Sequence, residues 1–433
     1  SVGNNGGTDV GEYEYMSTYA SAKYPLGGKL VSGLASTSIA NSMLSWETSK
    51  MVNVGVDLNA LNNRLSFTAD VFHKKTTGIL FTPSIYLTAG NKTAPRQNIA
   101  EMSTKGVELT LGWNDKAGEV NYSVSGNFSY TPNKIDKYKG VFQAGYDENG
   151  NWKSNIGDVA SSSSAVDPII EGNMKKEFYL RSPYKGSGKG YDVDGVAGGP
   201  ADGMIRTELD MAWLKAMIAE GYTFMPNKTV DKSKIWYGDY IYADVNGDGI
   251  YGGTDDREFQ NVSADPKFNF GFQMSAAWRG FDISMNWAGA AGFKLYWGPT
   301  FGHNSLAANV GYSLGKDVAD NRYFYNPDDP SDPRTNINSK YGRLVTTASG
   351  NQNAEGTSLY LYNANYLKLK NLTFGYTVPV SVSKKVFIEN LRVYISIENV
   401  FNITKYPGQD PELGATPQYT SLRQFAFGAN ISF

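Results

Sequence analysis

The stretch KFNFGFQMSAAWRGFDISMNWAG, Lys267 to Gly289, decides the fold. Taken two residues at a time, Phe268, Phe270, Phe272, Met274, Ala276 and Trp278 fall on one face. Lys267, Asn269, Gly271, Gln273 and Ser275 fall on the other. After Arg279-Gly280 the beat restarts, with Phe281, Ile283, Met285 and Trp287 set against Asp282, Ser284 and Asn286. A period of two is the repeat of a β-strand. The two-residue break predicts a hairpin. The apolar face meets either the core of a soluble sandwich or lipid, and function turns on which.

The same alternation recurs along the chain. Val52, Val54, Val56 and Leu58 form one such face, and Leu65, Phe67, Ala69 and Val71 follow a turn at Asn62-Asn63. Val107, Leu109, Leu111 and Trp113 make another, then Val120, Tyr122, Val124, Phe128 and Tyr130. Tyr366 to Val378 changes phase between Leu369 and Leu372, which predicts a β-bulge near Lys370-Asn371. Val393, Ile395 and Ile397 lie on the next strand, and Phe425, Phe427, Ala429, Ile431 and Phe433 on the last. About nine strands are expected from Glu47 onward, with one more before it.

The connections are lopsided. Those around 59–63, 114–118, 279–280 and 379–390 are short, and those around 80–96, 131–266, 291–358 and 402–421 are long. Strict alternation places every long loop at one end of an up-and-down sheet. Outer-membrane barrels have this asymmetry, and their strands need only about 9–11 residues to cross. A Greek-key sandwich has no reason for it. The pattern therefore favours lipid on the apolar face and water on the polar one. Nine or ten strands leave little bore, and open edges cannot sit unpaired in lipid. Further strands are expected from residues outside this chain.

Composition narrows the alternatives. The formal net charge is −2, which implies no general attraction to nucleic acid. The absence of cysteine excludes disulfide modules and thiolate metal sites. His73 and His303 lie on unrelated segments, and Asp328-Asp329 sits among prolines in NPDDPSDP, a loop composition. No nucleophile–base set emerges, so an enzyme is not expected. The opening SVGNNGG has no initiator Met, charged region or apolar region of a leader. This suggests either a removed signal peptide or the later part of a longer chain.

Several segments resemble, in order, the C-terminal part of SusC/RagA-type TonB-dependent transporters. They are LSWETSKMVNVGVDL (44–58), NIAEMSTKGVELTLGW (98–113), GDYIYADVNGDG (238–249) followed by PKFNFGFQMS, NYLKLKNLTFGYTVP (365–379), NLRVYISIENVFNITKYPGQDPE (390–412) and the closing RQFAFGANISF. The resemblance implies an all-β, antiparallel transmembrane β-barrel with long extracellular loops, the C-terminal portion of a plugged barrel of roughly 22 strands. It implies the outer membrane of a Gram-negative bacterium and TonB-dependent import of an oligomeric nutrient, glycan ahead of peptide. A SusD-like surface lipoprotein would act as lid, and the TonB complex would act through a plug and TonB box not found in this chain. The terminal Phe433 resembles the signal read by the barrel-assembly machinery. The competing reading is a secreted, calcium-dependent carbohydrate-binding or hydrolysing β-protein.

Within 131–266, two features stand out. DVNGDGIYGGTDD, Asp244 to Asp256, sets Asp244, Asn246 and Asp248 at positions 1, 3 and 5 of a calcium loop, with Gly249 at the sharp turn. The Ile250 carbonyl and Asp255 fall at positions 7 and 12. These hard oxygens suit structural Ca2+, and the short Asp at position 12 tolerates Mg2+. Second, 207–221 predicts a helix, with Thr207 and Asp210 as a capping box and Gly221 as its stop. Its stripe of Trp213, Leu214, Met217 and Ile218 would serve either a partner or its own loop. Tyr296-Trp297, Tyr323–Tyr325 and Tyr360–Tyr362 are candidate sugar-stacking aromatics. Asp192 and Asp194 read as a turn.

Overall fold

The computed structural model describes residues 2–7, 15–81, 96–138, 144–146, 152–154, 171–297, 316–345, 352–354, 356–415 and 418–433. Ten strands form one meander: Val2–Gly7 (β1), Glu47–Ala60 (β2), Leu65–Phe81 (β3), Gln97–Ala117 (β4), Val120–Tyr130 (β5), Phe268–Trp278 (β6), Phe281–Ala291 (β7), Tyr366–Thr377 (β8), Asn390–Thr404 (β9) and Gln424–Ser432 (β10). Each pairs antiparallel with its neighbours in chain order. The order runs from β1 to β10, and among the described residues these two do not pair with each other. The wall is thus an arc of a barrel, not a closed one.

Turn chemistry fixes the short end. Arg279 and Gly280 both have positive φ, 47° and 88°, as a two-residue type I′ turn requires. The β2–β3 turn takes three left-handed residues, Leu61, Asn62 and Asn63, two of them the residue type that best tolerates that region. The expected bulge is present. Lys370 is skipped between Asn371 and Leu369 in their pairing with β7, and β9 answers with an irregularity at Asn399, φ 51°.

Register turns alternation into two continuous faces. Leu58, Phe67, Leu111, Gly126, Phe272, Trp287, Leu369 and Phe401 pair in succession across the wall. One residue further along, Ser66, Gly112, Ser125, Gln273, Asn286, Asn371, Glu398 and Gln424 do the same. Every strand from β2 to β10 carries at least one large apolar side chain more than a third exposed, among them Val54, Val71, Leu111, Phe128, Met274, Phe281, Phe374, Ile403 and Phe427. At about 1.5–3 kcal/mol for each such side chain, leaving them in water costs on the order of 10–30 kcal/mol. A whole domain is stable by about 5–15 kcal/mol. This face needs an apolar solvent.

Two features extend the sequence reading. β3 and β4 have 17 and 21 residues, more than a crossing needs, so they rise beyond the bilayer at the long-loop end. Part of the expected 131–266 loop belongs to the wall: Asn133–Tyr138 pairs with β4 beyond the end of β5.

Candidate functional site

Most of the packed core lies outside the wall, in a domain built from two long connections. The first runs from β5 to β6 and the second from β7 to β8. Its helix, Glu208–Ala219 (α1), begins as the sequence predicts. Thr207 accepts from the Asp210 N–H, and the Asp210 carboxylate accepts from the Thr207 N–H at 2.9 Å. Gly221, at φ 101°, follows its end. Trp213, Leu214 and Met217 are fully buried against Met204, Ile205, Phe224, Ile235, Ile241 and Tyr242. The apolar stripe is therefore satisfied within the chain. Trp213 stacks on Tyr184 at 5.1 Å and donates its indole N–H to the Gly195 carbonyl.

The two connections are stitched together by polar contacts. Arg206 donates to the Ile337 and Ser339 carbonyls at 2.6 and 3.1 Å. The Tyr323 hydroxyl donates to the Arg206 carbonyl. Asp239, fully buried, receives Arg343 through two bonds of 2.7 Å, with the Trp236 N–H and Asn353 amide beside them. Burial pushes the Asp239 carboxyl upward, and Arg343, Trp236 and Asn353 pull against it.

The 244–256 loop is a set of Asx turns. Asp244 accepts from the Gly247 and Gly249 N–H groups, Asn246 from Asp248, and Asp248 from Ile250. Its clasp is Asp256, one residue past the expected position 12. That carboxylate is 1% exposed and accepts from Val245 and Gly253 at 2.7 Å each. Burial and then the charge of Asp248 push the Asp255 carboxyl up. Among the described residues no three His, Asp or Glu side chains stand in a metal-holding group.

The other singled-out residues have mixed fates. Tyr323 and Tyr360 are core residues, 2% and 3% exposed, and are not free to stack on a sugar. Tyr296, Trp297, Tyr325 and Tyr362 are only half-buried. Asp192 and Asp194 lie in a short helical turn, Tyr191–Asp194. His73 is an ordinary residue of β3, and His303 lies outside the described residues. Phe433 follows β10 and is 85% exposed.

Sequence reasoning missed a charged clasp at the outer end of the wall. Lys368, 3% exposed, pairs with Asp410 at 2.8 Å and Glu412 at 3.1 Å, and Lys370 pairs with Glu412. The signal was the repeated Lys in NYLKLKN facing the acids of GQDPE. On the bore side, Arg392 grips Asp282 with two bonds of 2.9 and 2.6 Å, and Asn371, Thr373 and Ser396 form a hydrogen-bonded set.

An apolar outer face, a polar inner face, short turns at one end and a packed loop domain at the other define an outer-membrane β-barrel protein. Comparison with known proteins agrees. A family profile described as "TonB dependent receptor-like, beta-barrel" matches residues 11–212. TonB-dependent receptor P3 of Formosa agariphila is 24% identical over 100% of this chain and 39% of its own length. TonB-dependent receptor SusC of Bacteroides thetaiotaomicron is 23% identical over 100% of this chain and 37% of its own. The RagAB peptide importer in its closed-closed state superposes with a TM-score of 0.67 at 21% identity, covering 100% of this chain and 40% of that one. The profile match ties residues 11–212 to the TonB-dependent receptor β-barrels, the whole chain is similar to receptors of the SusC/RagA type, and it spans about two fifths of the length of these relatives. Its place is the outer membrane of a Gram-negative bacterium.

Proposed function

We propose that this chain forms part of the wall and outer vestibule of a TonB-dependent importer of an oligomeric nutrient, a glycan ahead of a peptide. The observation that carries the reading is a hydrogen-bonding shelf of uncharged side chains on the inner face, beside the Arg392–Asp282 pair. Ser123, Ser125, Gln273, Ser275, Ser284, Asn286 and Asn371 line one continuous shelf on the bore side. Hydroxyls and amides of this kind exchange readily with the hydroxyl groups of a saccharide chain. The peptide alternative draws on the likeness to RagAB, described as a peptide importer. A SusD-like lipoprotein would close over the packed loop domain, and the TonB complex would supply energy. The loop at Asp244, Asn246, Asp248, Ile250 and Asp255 would hold Ca2+, or Mg2+, as a structural ion stiffening the outer domain.

The test is uptake by cells carrying the full-length receptor. Labelled oligosaccharide pools and labelled peptide pools are offered with and without an intact TonB system. TonB-dependent accumulation of oligosaccharides supports the proposal. Accumulation of peptides alone selects the RagAB-like alternative, and no TonB-dependent uptake of either refutes import.

A further inference from the structure

The outer domain carries a groove that neither the fold nor the comparisons assign. Its cavity volume is about 720 Å³, and its walls include Lys232, Trp236, Tyr237, Arg322, Tyr325 and Arg334. That size is within the usual range for small-ligand sites, about 300–1,000 Å³. One wall is aromatic: Trp236 meets Tyr237 edge to face at 5.3 Å, and Tyr237 meets Tyr325 at 5.1 Å. Trp236 and Tyr325 are half-buried, so they keep surface toward the groove.

The charge is lopsided. The lining holds four cations, Lys232, Arg322, Arg334 and Arg343, and one carboxylate, Asp328. Two cations are committed elsewhere. Arg343 is spent on buried Asp239, and Arg334 pairs with Asp332 and covers the Phe324 ring at 4.6 Å. Among the described residues, Lys232 and Arg322 form no ion pair; Arg322 lends one guanidinium nitrogen, Nη1, to the Ala319 carbonyl and keeps its charge uncompensated. The Lys232 backbone is pinned where it stands, because Arg343 donates to its carbonyl at 2.7 Å. The site is thus held by the same buried ion pair that joins the two connections.

We propose that this groove binds an anionic oligosaccharide. Flat rings would lie on Trp236 and Tyr325, and a carboxylate or sulfate group would sit between Lys232 and Arg322. An acidic peptide fits less well, since Leu344 and Pro327 are the only aliphatic linings for its side chains. The proposal rests on the nutrient-import reading and sharpens its cargo class.

The test uses the purified full-length receptor in detergent with four polymer probes: polygalacturonate, dextran sulfate, neutral dextran and polyglutamate. Binding of at least one anionic polysaccharide, at least tenfold tighter than neutral dextran and polyglutamate, is expected. Lys232→Gln with Arg322→Gln should weaken it at least tenfold, and Trp236→Phe, which keeps a ring, should be milder than Trp236→Ala. Failure of both anionic polysaccharides to bind, equal binding of polyglutamate, or indifference to the double substitution each overturns the proposal. Retained TonB-dependent uptake by the double variant, alongside any of those failures, would sink the groove assignment and leave the import reading standing.

Discussion

The wall and the outer domain solve opposite problems with the same chain. In the wall, apolar side chains alternate and point away from the protein, and backbone pairing to the next strand supplies the cohesion. In the outer domain they point inward from irregular segments, around α1 and a buried ion pair. Mutational sensitivity should therefore differ in kind. The wall answers to which face a residue occupies, and the outer domain to how much volume it fills.

The largest effect should come from Trp213→Ala. Emptying a fully buried indole site costs about 3–5 kcal/mol. The substitution should make 171–265 protease-sensitive in intact outer membranes, while the strands stay inserted and heat-modifiable on gels. Loss of the strands as well would mean the two regions are not separable.

Next comes the wall. Phe272 and Gln273 are neighbours on opposite faces. Phe272→Arg should cost roughly 2–4 kcal/mol near the bilayer midplane, and Gln273→Arg little, because a wet bore tolerates charge. Folding yields into lipid vesicles measure both. Equal yields would erase the assigned difference between faces.

The smallest effect should belong to the 244–256 loop. With Ca2+ present, chelation should speed proteolysis near Gly249 a few-fold and leave α1 protected. Asp244→Ala with Asp248→Ala should reproduce that rate and abolish the response to chelator. Identical cleavage in all conditions would show the Asx turns suffice without an ion.

The wall was legible in the sequence because a period of two survives wherever one face meets a uniform solvent. The Arg279-Gly280 turn and the Lys370 bulge were legible for the same reason, as interruptions of that period. β1 was barely visible: VGNNGG pairs with β2 through its backbone and has almost no side chains to alternate. The outer core was invisible apart from α1. Met204, Ile235 and Ile241 reach it from segments with no repeat, and their burial depends on contacts more than 100 residues away, such as Asp239 with Arg343. The same limit explains Asp256. Spacing alone names Asp255, and only the chain path reveals that the next carboxylate turns inward as the clasp.

The stitching of two connections has a mechanical consequence. The excursion after β5 and the excursion after β7 leave from opposite flanks of the β6–β7 hairpin, yet they share one core and the Asp239–Arg343 pair. The domain is a strut across that hairpin. Spreading β5 from β8 would have to rip it apart, so any sideways parting of the staves must happen elsewhere around the ring.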